Sequence, residues 1–124
     1  MSTILRERHQ LEELFAAIDS RNTDAFLEFL TEDGAFRFGS APTIHGRDNI
    51  RGVLNDFFAS IAGLQHTIGN VIASGDTLIC EGTVEYERLD SRAVSIPFAN
   101  VFEYAGQRIA EYKIYIDIGP LYAD

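Results

Sequence analysis

Three polar residues stand inside apolar, strand-like runs of this 124-residue chain and could carry chemistry. Asp117 interrupts Tyr115-Ile116-Asp117-Ile118, where a carboxylate costs free energy unless it is exposed, paired or used. Burial among apolar groups is what makes such a carboxylate a competent base. His66, in Gln65-His66-Thr67-Ile68-Gly69, supplies an imidazole that accepts or gives a proton at about pH 7 and that a nearby carboxylate can hold in one tautomer. Asn100 supplies an amide for hydrogen bonding a ligand or a developing oxyanion. The plain alternatives are that Asp117 caps a strand end in water or pairs with Arg92, and that His66 is half-buried at the start of an edge strand.

The elements that must position these residues divide the chain in two. Leu11, Leu14, Phe15 and Ile18 recur at spacings of three and four, which predicts a first helix from Ile4 to Ser20. Asn22-Thr23-Asp24 can cap a second, shorter helix carrying Phe26, Leu27, Phe29 and Leu30 and ending near Asp33-Gly34. Ala35 to Phe38 suits a short strand before the break at Gly39-Ser40-Ala41-Pro42, and a third helix opens near Gly46 and stops at Gly63. From Leu64 onward β-branched and aromatic residues predict strands near 64–74, 77–88, 94–104 and 108–118. The hairpins are expected at Gly75-Asp76 and Ala105-Gly106, with a looser turn at Asp90-Ser91-Arg92.

Helices followed by a meander predict an α+β domain, three N-terminal helices on a strongly curved antiparallel sheet, shaped as a cone with one open end. A two-residue turn at Ala105-Gly106 would set Asn100 opposite Glu111 and Phe98 opposite Lys113. It would also put Asp117, Tyr115, Lys113, Asn100 and Phe98 on one face, unless a bulge flips it. The opposite face would then carry Val101, Tyr112, Ile114 and Ile116, enough apolar surface to predict a homodimer through it.

Composition narrows the functions. The formal charge of −9 repels nucleic acid and anionic membrane surfaces, and the scattered acidic residues read as a solvated surface. Length fits one domain over residues 1–124, and no run reaches the ~18 apolar residues of a membrane span. The charged start MSTILRERHQLEELF is unlike a secretion signal, and a lone cysteine, Cys80, suits a reducing compartment, so the expected location is cytoplasmic. Cys80 reads as a small core hydrophobe. His9, His45 and His66 lack metal-ligand spacing, and no phosphate loop, nucleophile elbow or dinucleotide fingerprint occurs, so no metal and no cofactor is expected.

Particular residues carry a resemblance: Ala17-Ile18-Asp19 closing the first helix, Thr31-Glu32-Asp33, Gly46 with Ile50, Gly75-Asp76-Thr77, Pro97 with Val101-Phe102-Glu103, and the run from Ile109 to Leu121. In this order they resemble the nuclear-transport-factor-2-like superfamily and, within it, the SnoaL-like, polyketide cyclase and ketosteroid-isomerase-like group, over nearly the whole chain. The resemblance implies an acid/base role for Asp117, because an aspartate on the matching last strand serves so in that group. The stretch around His66 is similar to one in scytalone dehydratase that bears an active-site histidine. Ketosteroid isomerase itself needs an aspartate base near the first strand and a tyrosine on helix one, whereas Phe36-Arg37-Phe38 and Leu14-Phe15 offer neither. The aspartate and arginine network of limonene epoxide hydrolase has no counterpart beside Asn100.

The expected function is a small-molecule pocket, a cofactor-free isomerase, cyclase or dehydratase for a small apolar carbonyl compound. Asp117 and His66 would be catalytic, with Asn100, Tyr115 and Phe98 binding substrate. The alternative is a non-catalytic binding or dimerisation module of the same fold.

Overall fold

The computed structural model describes residues 3–123, with side chains from residue 7 onward. Its elements are α1 (Thr3–Asp19), α2 (Thr23–Leu27), β1 (Leu30–Phe38), β2 (Ile44–His45), α3 (Arg47–Ala59), β3 (Gly63–Ser74), β4 (Thr77–Glu87), β5 (Ala93–Ala105), β6 (Arg108–Ile116) and α4 (Gly119–Tyr122). The expected α+β architecture is present, with β1 and β2 standing between α2 and α3 ahead of the four long strands. The sheet is larger than the four strands read from the sequence, being six-stranded and unclosed in the order β2-β1-β6-β5-β4-β3.

One added strand, β1, extends the short strand expected at residues 35–38 back into the stretch assigned to the second helix, and the other, β2, is a two-residue pairing just before α3. Asn22 caps α2 through its side chain, which accepts from the Ala25 N–H at 3.1 Å. The helix nonetheless stops after five residues, because Leu30 is wholly buried and joins β6, with the Ile109 N–H donating to the Phe29 carbonyl. From there β1 runs parallel to β6, with a register shift between Leu30 and Ala35. Sheet pairing outweighed a local pattern that suits either structure.

Alternation along the strands sends one face to the helices. Leu78, Cys80, Val84 and Tyr86 of β4 and Ile96, Phe98, Asn100 and Phe102 of β5 are buried there against Leu11, Leu14, Phe15 and Ile18 of α1. Cys80 is wholly buried, as expected of a core residue.

The hairpin between β5 and β6 corrects the expected facing of the last strands. Its turn is Gly106-Gln107, one residue later than expected, with Gly106 at φ +65° and Ala105 paired to Arg108. A further shift lies between Glu103 and Tyr104. Asn100 therefore opposes Ile114, and Phe98 opposes Ile116, so Asn100 and Phe98 face inward together with Tyr112, Ile114 and Ile116. Tyr115 and Lys113 lie on the other face, and Tyr115 is 54% exposed. The face once expected to pair two subunits is in good part the interior.

Burial here has a pH signature. It pushes the Cys80 thiol up to about 11 and the Tyr104 phenol up to about 12, and raises Tyr86 and Tyr112 further still. Each group ionises earlier in the unfolded chain, so stability is complete below the unfolded values and is lost as pH rises through the folded ones. Thermal unfolding should therefore be level up to about pH 9 and fall steadily above it. Tyr112→Phe should flatten that fall; an equally steep fall in the variant would remove Tyr112 as a contributor.

Candidate functional site

The site is built from one helix end and one strand. Phe15 and Asp19 sit at i and i+4 on α1 and so share a face, and that face meets β3 at His66. The His66 Nδ1 lies 2.6 Å from Asp19 Oδ1, while the His66 backbone N–H donates to Asp19 Oδ2 at 2.9 Å. Both carboxylate oxygens thus accept from one residue. A carboxylate cannot donate, so Nδ1 carries a proton, and in the neutral ring Nε2 is the basic nitrogen.

Aromatic rings fix the imidazole plane. Phe15 stacks on it with centroids 4.5 Å apart and planes 2° from parallel. Phe98 meets it edge-on at 5.4 Å. The side chain of His66 is 11% exposed and that of Asp19 22%, which leaves the pair partly desolvated with the carboxylate on the outer side.

Inward from His66 lies an apolar cavity whose walls include Phe36, Phe38, Phe57, Tyr86 and Tyr112. Its free volume is about 30 Å³, about the share of one water in the liquid, so the side chains nearly fill it. Phe38 and Phe57 are only half-buried and lean on each other with centroids 5.0 Å apart. Burial is the main cause that keeps Tyr86 and Tyr112 protonated, so both offer hydroxyl donors to the cavity across the whole ordinary pH range.

Of the residues singled out in the sequence, His66 lines the cavity and Phe98 supports its ring. Asn100 is 1% exposed, and its Oδ1 has no hydrogen-bond partner. An orphan buried acceptor costs about 1–3 kcal/mol, so it marks strain or use. Asn100 lies beside Ile114, which does line the cavity. Tyr115 points away, on the outer face.

Asp117 is not brought to His66. It follows the end of β6, is exposed, and its Oδ1 accepts the Gly119 N–H at 3.0 Å, which turns the chain into α4. That is the strand-end capping weighed as its alternative, without Arg92, which instead binds Asp90. The residues missed in the sequence are Asp19, Tyr86 and Tyr112. Asp19 left a signal: an acidic residue in the last turn of a helix opposes the macrodipole and calls for a partner. Among the described residues no cluster of three or more His, Cys, Asp or Glu could hold a metal, and no helix is long and apolar enough to cross a membrane.

Helices covering one face of a curved, unclosed sheet, with an apolar hollow between them, make up a nuclear-transport-factor-2-like fold. The SnoaL-like domain family matches residues 11–112, and the chain belongs to that family. Solved structures agree on the fold. A nuclear-transport-factor-2-like protein of unknown function from Burkholderia pseudomallei is 19% identical, with TM-score 0.85 over 99% of this chain and 100% of that one. A candidate SnoaL-like polyketide cyclase from Jannaschia is 16% identical, with TM-score 0.81 over 98% and 92%. A Catenulispora acidiphila protein of ketosteroid isomerase-like fold, in complex with trimethylamine, is 20% identical, with TM-score 0.81 over 90% and 87%. No curated protein matches the sequence.

Proposed function

We propose that this chain performs acid/base chemistry on a small, largely apolar carbonyl compound, as an isomerase, cyclase or dehydratase that needs no cofactor. The observation that carries the reading is the Asp19–His66 pair, an imidazole held in one tautomer and one plane at the wall of an apolar cavity. Nε2 takes a proton from the carbon next to the substrate carbonyl. The Tyr86 or Tyr112 hydroxyl donates to the oxygen where charge develops, and Nε2–H returns the proton at a second position. Asn100 accepts from a hydroxyl at the buried end of the ligand. The guest enters as Phe38 and Phe57 swing aside. Asp117 leaves the catalytic role in this reading, and Tyr115 leaves the binding role.

The test is turnover of a panel of polyketide-like and steroid-like ketones by the unmodified chain and by His66→Gln. Full activity of the variant on a confirmed substrate would end the proposal. The alternative is a binding module of the same fold without turnover, and tight binding with no product over the whole panel would establish it.

A homodimer fits the outer face of the sheet, where Val101 remains of the residues first expected and Tyr112, Ile114 and Ile116 do not. Ile72, Ile79 and Val101 form one row across β3, β4 and β5, and Ala99 with Tyr115 flank it. Ile72 is 59% exposed and Ile79 37%, in a contiguous apolar strip that a second copy would cover. Ile79→Glu should weaken the dimer about 30-fold or more in analytical ultracentrifugation, the loss of a central contact worth about 2 kcal/mol. A monomeric unmodified chain at micromolar concentration would refute the assembly.

A further inference from the structure

The two members of the Asp19–His66 pair face different spaces. His66 lines the inner cavity and also an outer groove between α1 and β3, whose walls include Arg8, Glu12, Ala16 and Thr67. Asp19 lines that groove and a second surface hollow beside Arg21 and Glu85, and it does not line the cavity. Arg8 on the wall of the groove donates to the Gly69 carbonyl at 2.8 Å and the Ile68 carbonyl at 3.1 Å. These bonds tie α1 to β3 at its register shift, two to three residues past His66.

From this arrangement we infer that the pair is a proton conduit through the wall, with the cavity at Nε2 and bulk water at the Asp19 carboxylate. The inference rests on the acid/base reading for its purpose but not for its test. In the step, a proton binds Nε2 on the cavity side, the Nδ1–H bond breaks toward Asp19 Oδ1, and the carboxyl passes that proton to water in the groove. The ring ends neutral, with its proton on Nε2, and Asp19 is again a carboxylate, so charge and protons balance. With a guest filling the cavity behind Phe38 and Phe57, the groove at Asp19 is the way by which the site exchanges protons.

Ala16 is exposed, lies three residues before Asp19 on α1, and lines the groove without touching the cavity. Ala16→Leu should cover the carboxylate while keeping a good helix former on the surface. The readout is the exchange rate of the His66 Nδ1 proton with water, by saturation transfer on ¹⁵N-histidine-labelled protein with no ligand present. We expect Ala16→Leu to slow it about tenfold, because exchange then needs a local opening, and Ala16→Ser to leave it unchanged. Ala16→Gln covers the same space with a polar chain and should also slow exchange, which keeps the test decisive if the leucine variant folds poorly. Equal rates in all four proteins would overturn the conduit, and would leave open the separate question of whether His66→Gln loses turnover.

Discussion

Turnover of any ketone that this chain converts should fall about 10²- to 10⁴-fold in His66→Gln, the usual contribution of a positioned acid/base group. Glutamine keeps a polar side chain of similar reach but has no titrating nitrogen. Asp19→Asn should cost nearly as much for a different reason. An asparagine can still accept the His66 backbone N–H with its oxygen, but its NH₂ then faces Nδ1 and requires that nitrogen to be an acceptor. The proton moves to Nε2, and the cavity is offered a donor where a base is needed. The ¹⁵N shifts of the ring would report that change directly, with both variants folded as judged by amide spectra. The control is Asp117→Asn, which should leave turnover unchanged because its carboxylate caps Gly119 in water. If Asp117→Asn were inactive and Asp19→Asn active, the base would be Asp117 and the pair at His66 would be structural.

Why the sequence led to Asp117 and missed Asp19 has a physical explanation. Apolar periodicity reports which face of an element is buried, and it gave α1, α3 and the four long strands with good boundaries. Facing in the last hairpin depends on single residues. A turn at Gly106-Gln107 and one register shift after Glu103 were enough to move Tyr112 inward and Tyr115 outward. His66 was legible because an imidazole in an apolar strand needs a partner. The partner lay 47 residues earlier in the chain, at the end of a helix, and pairing at that separation is decided by packing that no local pattern encodes. The same holds for β1, where Phe29 and Leu30 suit the buried side of a helix as well as a strand, and contact with Ile109 decided between them.

The second large effect is expected far from any titrating group. Gly82 lies on the inner face of β4 where β3 crosses at its register shift, and a Cβ added there would sit 2.1 Å from the Thr67 carbonyl oxygen. That atom is backbone and cannot swing away, so Gly82→Ala must push β3 outward. Overpacking against backbone lies at or above the upper end of the usual 1–3 kcal/mol, and melting should fall by about 10 °C or more. The displaced strand carries His66, one residue before Thr67, so its Nδ1 proton should also lose the bond to Asp19 and exchange faster with water. The same added Cβ would stand 3.2 Å from Phe98 Cζ, the ring whose edge closes on His66. The missing side chain at Gly82 is therefore what lets β3 sit close and lets Phe98 reach across to the imidazole. A Gly82→Ala protein that melts with the parent and keeps its His66 signal would show that β3 yields without cost, and that the packing around Phe98 does not hold the ring.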